Sequence, residues 1–254
     1  MREKENVKKS FAKNKQAYIT SATHARGSDL SLMKDWLELE TSMKLLDIAT
    51  GGGHVAKQLS PFVERVYATD LTKEMLENTK NYLQDIHNID YILADAESLP
   101  FLNNTFDIIT CRTAAHHFPH PEKFIQEVKR VLKTNGTFLF IDNIAPRQSV
   151  YANFINQLEG MRDFSHVRCL PIFEWKQLLD SYGLHTVKEN VRKKELSYTE
   201  WINRTLDHPE DKQKVYHFIK EADEQIKAYY KIQLDQGSVQ RFFIDEWFAL
   251  IENK

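Results

Sequence analysis

Between residues 43 and 142 short apolar runs alternate with segments of helical periodicity, and this rhythm restricts the chain to folds in which parallel strands are joined by helical crossovers. The runs are MKLLDIA (43–49), RVYATD (65–70), DYILAD (90–95), FDIITC (106–111) and TFLFID (137–142). They are short, mostly β-branched or aromatic, and bounded by turn formers, so five parallel strands are the economical reading. Between them, Phe124, Ile125, Val128, Val131 and Leu132 share one helical face, with Pro121 near the start and Asn135-Gly136 past the end. Met75, Leu76, Thr79, Leu83 and Ile86 predict another helix, with Thr72 as its N-cap.

Both flanks differ from this core. Val7, Phe11 and Tyr18, then Leu30, Met33 and Leu37, predict two helices joined by the loop SATHARGSD (21–29), placed to cover a ligand site. After residue 143 the βα rhythm stops, and an aromatic-rich, mainly helical stretch follows, interrupted by a strand near 184–195. It reads as a lid. The end, YYKIQLDQGSVQRFFIDEWFALIE, reads as two extended segments around the turn Asp235–Ser238, the last strand being antiparallel. The expectation is a single α/β domain with a helical cover (1–42), a ligand-binding core (43–142), a lid (150–225) and terminal strands (226–254).

A length of 254 residues suits one large α/β domain. No stretch approaches the roughly 18–20 uninterrupted apolar residues of a membrane span, and the charged start MREKENVKKS points to the cytoplasm. Cys111 and Cys169 lie outside any metal-ligand spacing, which argues for reduced thiols and against a disulfide or zinc site. A net charge of -2 gives no electrostatic reason to expect nucleic acid, and KENVRKK (188–194) reads as a solvated edge.

The chemical signal is LLDIATGGGHVA, where a strand ending at Asp47 and Ile48 runs into Gly51-Gly52-Gly53 and then a helix. Glycine removes the Cβ that would keep a ligand from the turn, and a helix start offers unpaired N–H groups. Gly51, Gly53 and Ala56 also satisfy the dinucleotide pattern, so an NAD-dependent oxidoreductase is a rival reading. Asp47 opposes it, since a carboxylate before the loop repels a pyrophosphate but pairs with the amino group of S-adenosylmethionine. Asp70 ends the next strand, where it can accept from a ribose diol, and Asp95 ends the third, where it can accept from an adenine amino group or cap the following turn. Acids at three adjacent strand ends are more specific than the glycines.

The stretches LLDIATGGGHVA, VYATDLTKEML, ADAESLPFLNNTFDIITCRTAAHHF and EVKRVLKTNGTFLFID together resemble the class I S-adenosylmethionine-dependent methyltransferases, in particular the methyltransferase type 11 and ubiquinone/menaquinone C-methyltransferase branch. The resemblance covers residues 7–143, and FAKNKQAYITSATHARGSDL, with Tyr18, is similar to that branch's cofactor-covering helix. It implies a seven-stranded Rossmann-like sheet of order 3-2-1-4-5-7-6. It also implies that Asp47, Ala49, Gly51 and Gly53 form the methionine-side loop, that Asp70 and Leu71 hold ribose, that Asp95 and Ala96 hold adenine, and that Cys111 and Arg112 line the cofactor. Ala49 replaces the family's first glycine, acceptable where φ is negative, and Asn135-Gly136 replaces a double glycine, leaving one glycine at the helix end.

His116 and His117 follow the fourth strand, where an acceptor belongs, and are candidates for general-base catalysis; otherwise one packs and the other is solvated. Arg162, His166 and Arg168 read either as anchors for an anionic acceptor or as a surface turn. Phe154, Phe164, Trp175, Tyr198 and Trp201 read as pocket wall or core. The expected function is methyl transfer from S-adenosylmethionine to a small-molecule acceptor, which the resemblance suggests is aromatic or quinone-like. The alternatives are the oxidoreductase and a non-catalytic S-adenosylmethionine-binding regulator.

Overall fold

The computed structural model describes the backbone of residues 2–20 and 28–254 and the side chains of residues 3–13, 30 and 32–254. The loop expected over SATHARGSD falls mostly outside the described residues, as does the side chain of Tyr18. Strands β1 (Lys44–Ile48), β2 (Arg65–Asp70), β3 (Ile89–Leu93), β4 (Phe106–Arg112) and β5 (Leu132–Ile144) pair in parallel. Beyond β6 (Leu184–Ser197) and the three-residue β7 (Gln233–Asp235), the chain ends in β8 (Ser238–Asn253), which runs antiparallel between β5 and β6. Among the described residues the order is β3-β2-β1-β4-β5-β8-β6, with β7 paired to β8. This is the expected seven-strand order with one short strand added.

Before and between the parallel strands lie helices α1 (Arg2–Thr20), α2 (Ser28–Trp36), α3 (His54–Leu59), α4 (Lys73–Tyr82) and α5 (Pro121–Val131). After β5 come α6 (Ser149–Arg162) and α7 (Ile172–Ser181), and after β6 come α8 (Tyr198–Asn203), α9 (Pro209–Lys220) and α10 (Glu224–Tyr229). Successive strand side chains point to opposite faces, so Leu46, Ile48, Ile109, Phe138, Phe140 and Trp247 pack with α5 and α7, while Leu45, Ile108, Leu139, Ile141 and Phe248 pack with α2 and α3. A third cluster joins α6, α8 and α9 to Leu196 of β6 and to Val239, Phe242 and Ile244 of β8. Because β5 stops at Ile144, opposite Asp245, residues 238–244 of β8 and their β6 partners project past the carboxyl edge of the parallel strands. Helices α6, α8 and α9, in the segment expected to form a lid, pack on this projection.

Several boundaries differ from expectation. β5 begins at Leu132, directly after α5, not at 137. The ladder shifts register between Phe106 and Ile108, and Asn135 takes the left-handed turn at φ 62°. Gly136 is needed for space, since a Cβ there would lie 2.7 Å from Leu132 Cδ1 and 3.0 Å from the Asp107 carbonyl. Asn135-Gly136 is thus an irregularity inside a strand, not a helix stop. β3 ends at Leu93, which leaves Asp95 in the turn beyond it, bridged to Ser98. Tyr229 closes α10, where β-prone side chains suggested a strand, because Tyr230 is buried and its hydroxyl donates to the Tyr151 carbonyl. The terminal turn is as expected, with Gln236 and Gly237 both at positive φ, as a tight hairpin turn requires.

The glycine loop overturns one expectation. Ala49 has φ +54°, so its Cβ stands in the left-handed region that costs an L-residue roughly 1–2 kcal/mol. Gly53 combines φ +74° with close packing, since a Cβ there would meet Thr79 Cγ2 at 2.4 Å and Leu83 Cδ1 at 2.8 Å. In denaturant titrations Ala49→Gly is expected to gain about 0.5–1 kcal/mol, strain relief being partly offset by a freer unfolded chain. Gly53→Ala is expected to lose about 2–4 kcal/mol. Equal stability of the two variants would contradict this account of the loop.

Candidate functional site

At the carboxyl ends of β1 to β4 a cavity opens, with α1 lying across it. Its floor is Asp47, Ala49, Gly51, Asp70, Leu71, Asp95, Ala96 and Arg112, and its cover includes Lys4, Val7 and Phe11. Asp47 is buried, and its two oxygens accept from the hydroxyls of Thr50 (2.6 Å) and Thr110 (2.8 Å). Asp70 is also buried and accepts from the backbone N–H groups of Thr72 (2.9 Å) and Gly51 (3.1 Å). Burial pushes both carboxyls up to about 6 despite these hydrogen bonds. Two acids in this state are stabilised as carboxylates by any neighbouring positive charge or hydroxyl donor.

Asp95 serves its turn and the cavity together. One oxygen accepts from the Glu97 N–H at 3.0 Å, and the other accepts from Lys4, which also pairs with Glu97. That ion pair fastens α1 over the cavity. Of the other sequence candidates, Gly53 faces α4 and not the cavity, for the packing reason given above. Cys111 is wholly buried in the sheet core, where burial raises its thiol well above the ordinary range. Neighbouring strand residues face opposite ways, so Arg112 lines the cavity and Cys111 does not.

A second, polar cavity adjoins the first. It shares Phe11, Thr113 and His117 with it and is closed by residues of α6, β6, α8 and β8. His117 Nδ1 lies 2.9 Å from the Ser165 carbonyl, which only accepts, so Nδ1 carries the hydrogen and Nε2 keeps its lone pair. Burial and the adjacent His116, with ring centroids 4.2 Å apart, push His117 down to about 4. His116 lines only the second cavity. Burial alone would lower its pKa, but Asp142 raises it, accepting from the ring at 2.6 Å and from the backbone N–H at 2.9 Å. His116 therefore packs against Asp142, which favours its protonated form, and His117 stays neutral where the cavities meet.

Arg162 is buried, not on a surface turn: it donates to Glu159 at 2.7 Å and lies over the Trp201 ring at 5.0 Å. Arg168 is exposed and paired with Glu174, while His166 packs against the His116 ring. Trp201 lines the second cavity, Phe154 and Trp175 are core, and Phe164 is exposed. Sequence reasoning missed Lys4, Thr113 and Asp163. Lys4 sits in an unpatterned charged stretch, and the other two occupy turns whose geometry no periodicity encodes.

Residues 46–140 match the family model described as methyltransferase domain. The uncharacterized methyltransferase YcgJ of Bacillus subtilis is 36% identical over 231 residues, covering 89% of this chain and 90% of the relative. The chain belongs to the methyltransferase family. The solved structure of YcgJ superposes with a TM-score of 0.84 at 33% identity, over 89% of this chain and 98% of that one. A ubiquinone/menaquinone biosynthesis C-methyltransferase UbiE of Blochmanniella pennsylvanica is 26% identical over 229 residues, covering 77% of this chain and 88% of the relative. The protein is thus an S-adenosylmethionine-dependent methyltransferase, and the dinucleotide reading of Gly51, Gly53 and Ala56 falls away. Among the described residues no helix is long and apolar enough to cross a membrane.

The two histidines of this methyltransferase make opposite titrations testable. Histidine-detected NMR is expected to find His116 protonated beyond pH 6.5 and His117 neutral down to about pH 5. Because the folded pKa of His117 lies below its unfolded value, its contribution to stability is full above pH 6.5 and is lost as the pH falls through about 4. Asp142→Asn should lower the pKa of His116, because the carboxylate is what raises it. An unmoved titration would contradict the coupling.

Proposed function

We propose that this methyltransferase binds S-adenosylmethionine in the first cavity and a small-molecule acceptor in the second, with transfer where His117 and Thr113 border both. The observation that carries this is the pair of buried carboxylates, Asp47 and Asp70, beside a loop whose Gly51 has no Cβ facing the cavity. The bound cofactor supplies an electrophilic methyl group on a sulfonium. Asp47 then balances its ammonium, Asp70 accepts from the ribose hydroxyls, Leu71 and Ala96 flank the base, and Asp95 accepts from the adenine amino group in competition with Lys4. Arg112, drawn to Asp47, moderates the negative charge of the pocket.

The chain's own contribution to transfer is alignment, water exclusion by α1 and the lid, and a neutral imidazole at the junction. His117 Nε2 is the proton acceptor if the acceptor atom must lose a proton, and His116 orients the segment through Asp142. Alignment alone supplies roughly 7–11 kcal/mol of barrier lowering in well-oriented reactions, so the base is an aid and not the engine. An aromatic or quinone-like acceptor is supported by the similarity to the UbiE C-methyltransferases of ubiquinone/menaquinone biosynthesis and by Phe11 and Trp201 in the cavity wall. The net charge of -2 and the closure of the second cavity by α6, β6, α8 and β8 favour a small-molecule acceptor over nucleic acid.

The test is calorimetric titration with S-adenosylhomocysteine. Binding to the wild type is expected to weaken at least tenfold in Asp70→Asn and in Asp47→Asn, with folding retained by circular dichroism. Undiminished affinity in both variants would overturn the assignment of this cavity.

A further inference from the structure

The second cavity is polar, yet its polar groups are not all used. Asp163, 1% exposed, accepts through Oδ1 from the Ser165 N–H at 2.9 Å, from the Ser165 hydroxyl and from the Ser10 hydroxyl at 3.3 Å. Among the described residues its Oδ2 has no hydrogen-bond partner, and the Arg162 guanidinium stands 3.9 Å away. Burial pushes Asp163 up, but His117, Arg162 and the hydrogen bonds from Ser165 outweigh it and hold the group as a carboxylate, down at about 2. A buried carboxylate oxygen held by one long ion pair and by no hydrogen bond is costly, and native proteins rarely leave one so except where a ligand completes it.

Two more groups lining the cavity share this condition. Thr113 Oγ1 and Asn143 Oδ1 are buried and without partners among the described residues. Thr113 is also a β-branched residue at φ +54°, a conformation that persists only where the surroundings impose it and that concentrates at functional sites. Its N–H is fixed to the Ile141 carbonyl at 2.7 Å, so the strained turn is anchored to the sheet, and the residue lines both cavities.

We propose that Asp163, with Thr113 and Asn143, is the acceptor-recognition site, and that the acceptor it selects is a neutral molecule that donates a hydroxyl hydrogen to Asp163 Oδ2. This rests on the two-cavity reading above and deepens it. Charge and hydrogen bonding together decide the class. An anionic acceptor drawn to Arg162, Lys194 and Arg204 has no hydrogen to give Asp163 Oδ2, and an ammonium would enter a space lined by those three cations against the two acids Glu159 and Asp163. A neutral hydroxyl satisfies Oδ2 without adding charge of either sign, while Phe11 and Trp201 give apolar wall for a ring. A purely apolar or fully etherified ring would leave Oδ2 unsatisfied, so the site discriminates through the missing hydrogen bond.

The experiment uses fluorine NMR of the full chain with saturating S-adenosylhomocysteine and four probes: 4-fluorophenol, 4-fluoroanisole, 4-fluorobenzylamine and 4-fluorobenzoate. The wild type is expected to bind 4-fluorophenol at least tenfold more tightly than each of the others. In Asp163→Asn the preference for phenol over anisole should fall below threefold, with S-adenosylhomocysteine affinity kept within twofold. If Asp163→Asn fails to fold, Thr113→Val is expected to reduce the same preference from the other side of the cavity. The proposal is overturned if anisole, benzylamine or benzoate binds the wild type as well as phenol, or if neither variant alters the preference. Failure of the wild type to bind S-adenosylhomocysteine would overturn the two-cavity reading, and this proposal with it.

Discussion

Desolvation of the carboxylates at the ends of β1 and β2 is the constraint on which the rest of the site depends. Asp47 and Asp70 are carried there by strands whose other side chains fill both faces of the sheet, so neither can move out to water without disturbing the core. Threonine hydroxyls and backbone N–H groups hold their orientation but do not restore their ordinary acidity. The buried carboxylates therefore carry an electrostatic cost at this edge, which the proposed ligand, with its ammonium and hydroxyls, would relieve. The left-handed turns at Ala49, Gly51 and Gly53 serve the same end by bending the chain back before a side chain can fill the space.

The second constraint is geometric. β8 and β6 continue past the carboxyl edge of the parallel strands, and the helices between residues 149 and 229 pack on that overhang with a core of their own. The lid is thereby anchored to the sheet and closes a polar cavity against the loop after β4. His117 stands at the boundary because the turn at Thr113 redirects the chain as it leaves β4.

Much of this was legible in the sequence. The β-branched and aromatic runs marked the parallel strands because a strand covered on both faces needs such residues, and the acids ending β1 and β2 could be placed at the carboxyl edge, where the cavity opens, from position alone. What could not be read was local handedness and tertiary pairing. Ala49 gave no sign of its positive φ, since only a fixed turn forces alanine there. Cys111 could have been separated from Arg112 by strand alternation, a signal present in the sequence but outweighed by family resemblance. Asp163 was out of reach, because its significance lies in contacts with Ser10, Ser165 and Arg162, which sequence spacing does not reveal.

The central claim is that S-adenosyl ligands bind by satisfying two carboxylates that burial has pushed up to about 6. Calorimetry of S-adenosylhomocysteine binding at pH 6, repeated in buffers of different ionisation enthalpy, measures the protons exchanged. With both acids about half protonated before binding and ionised after it, the account predicts release of roughly one proton per ligand bound. Binding with no proton release, or with uptake, would contradict it.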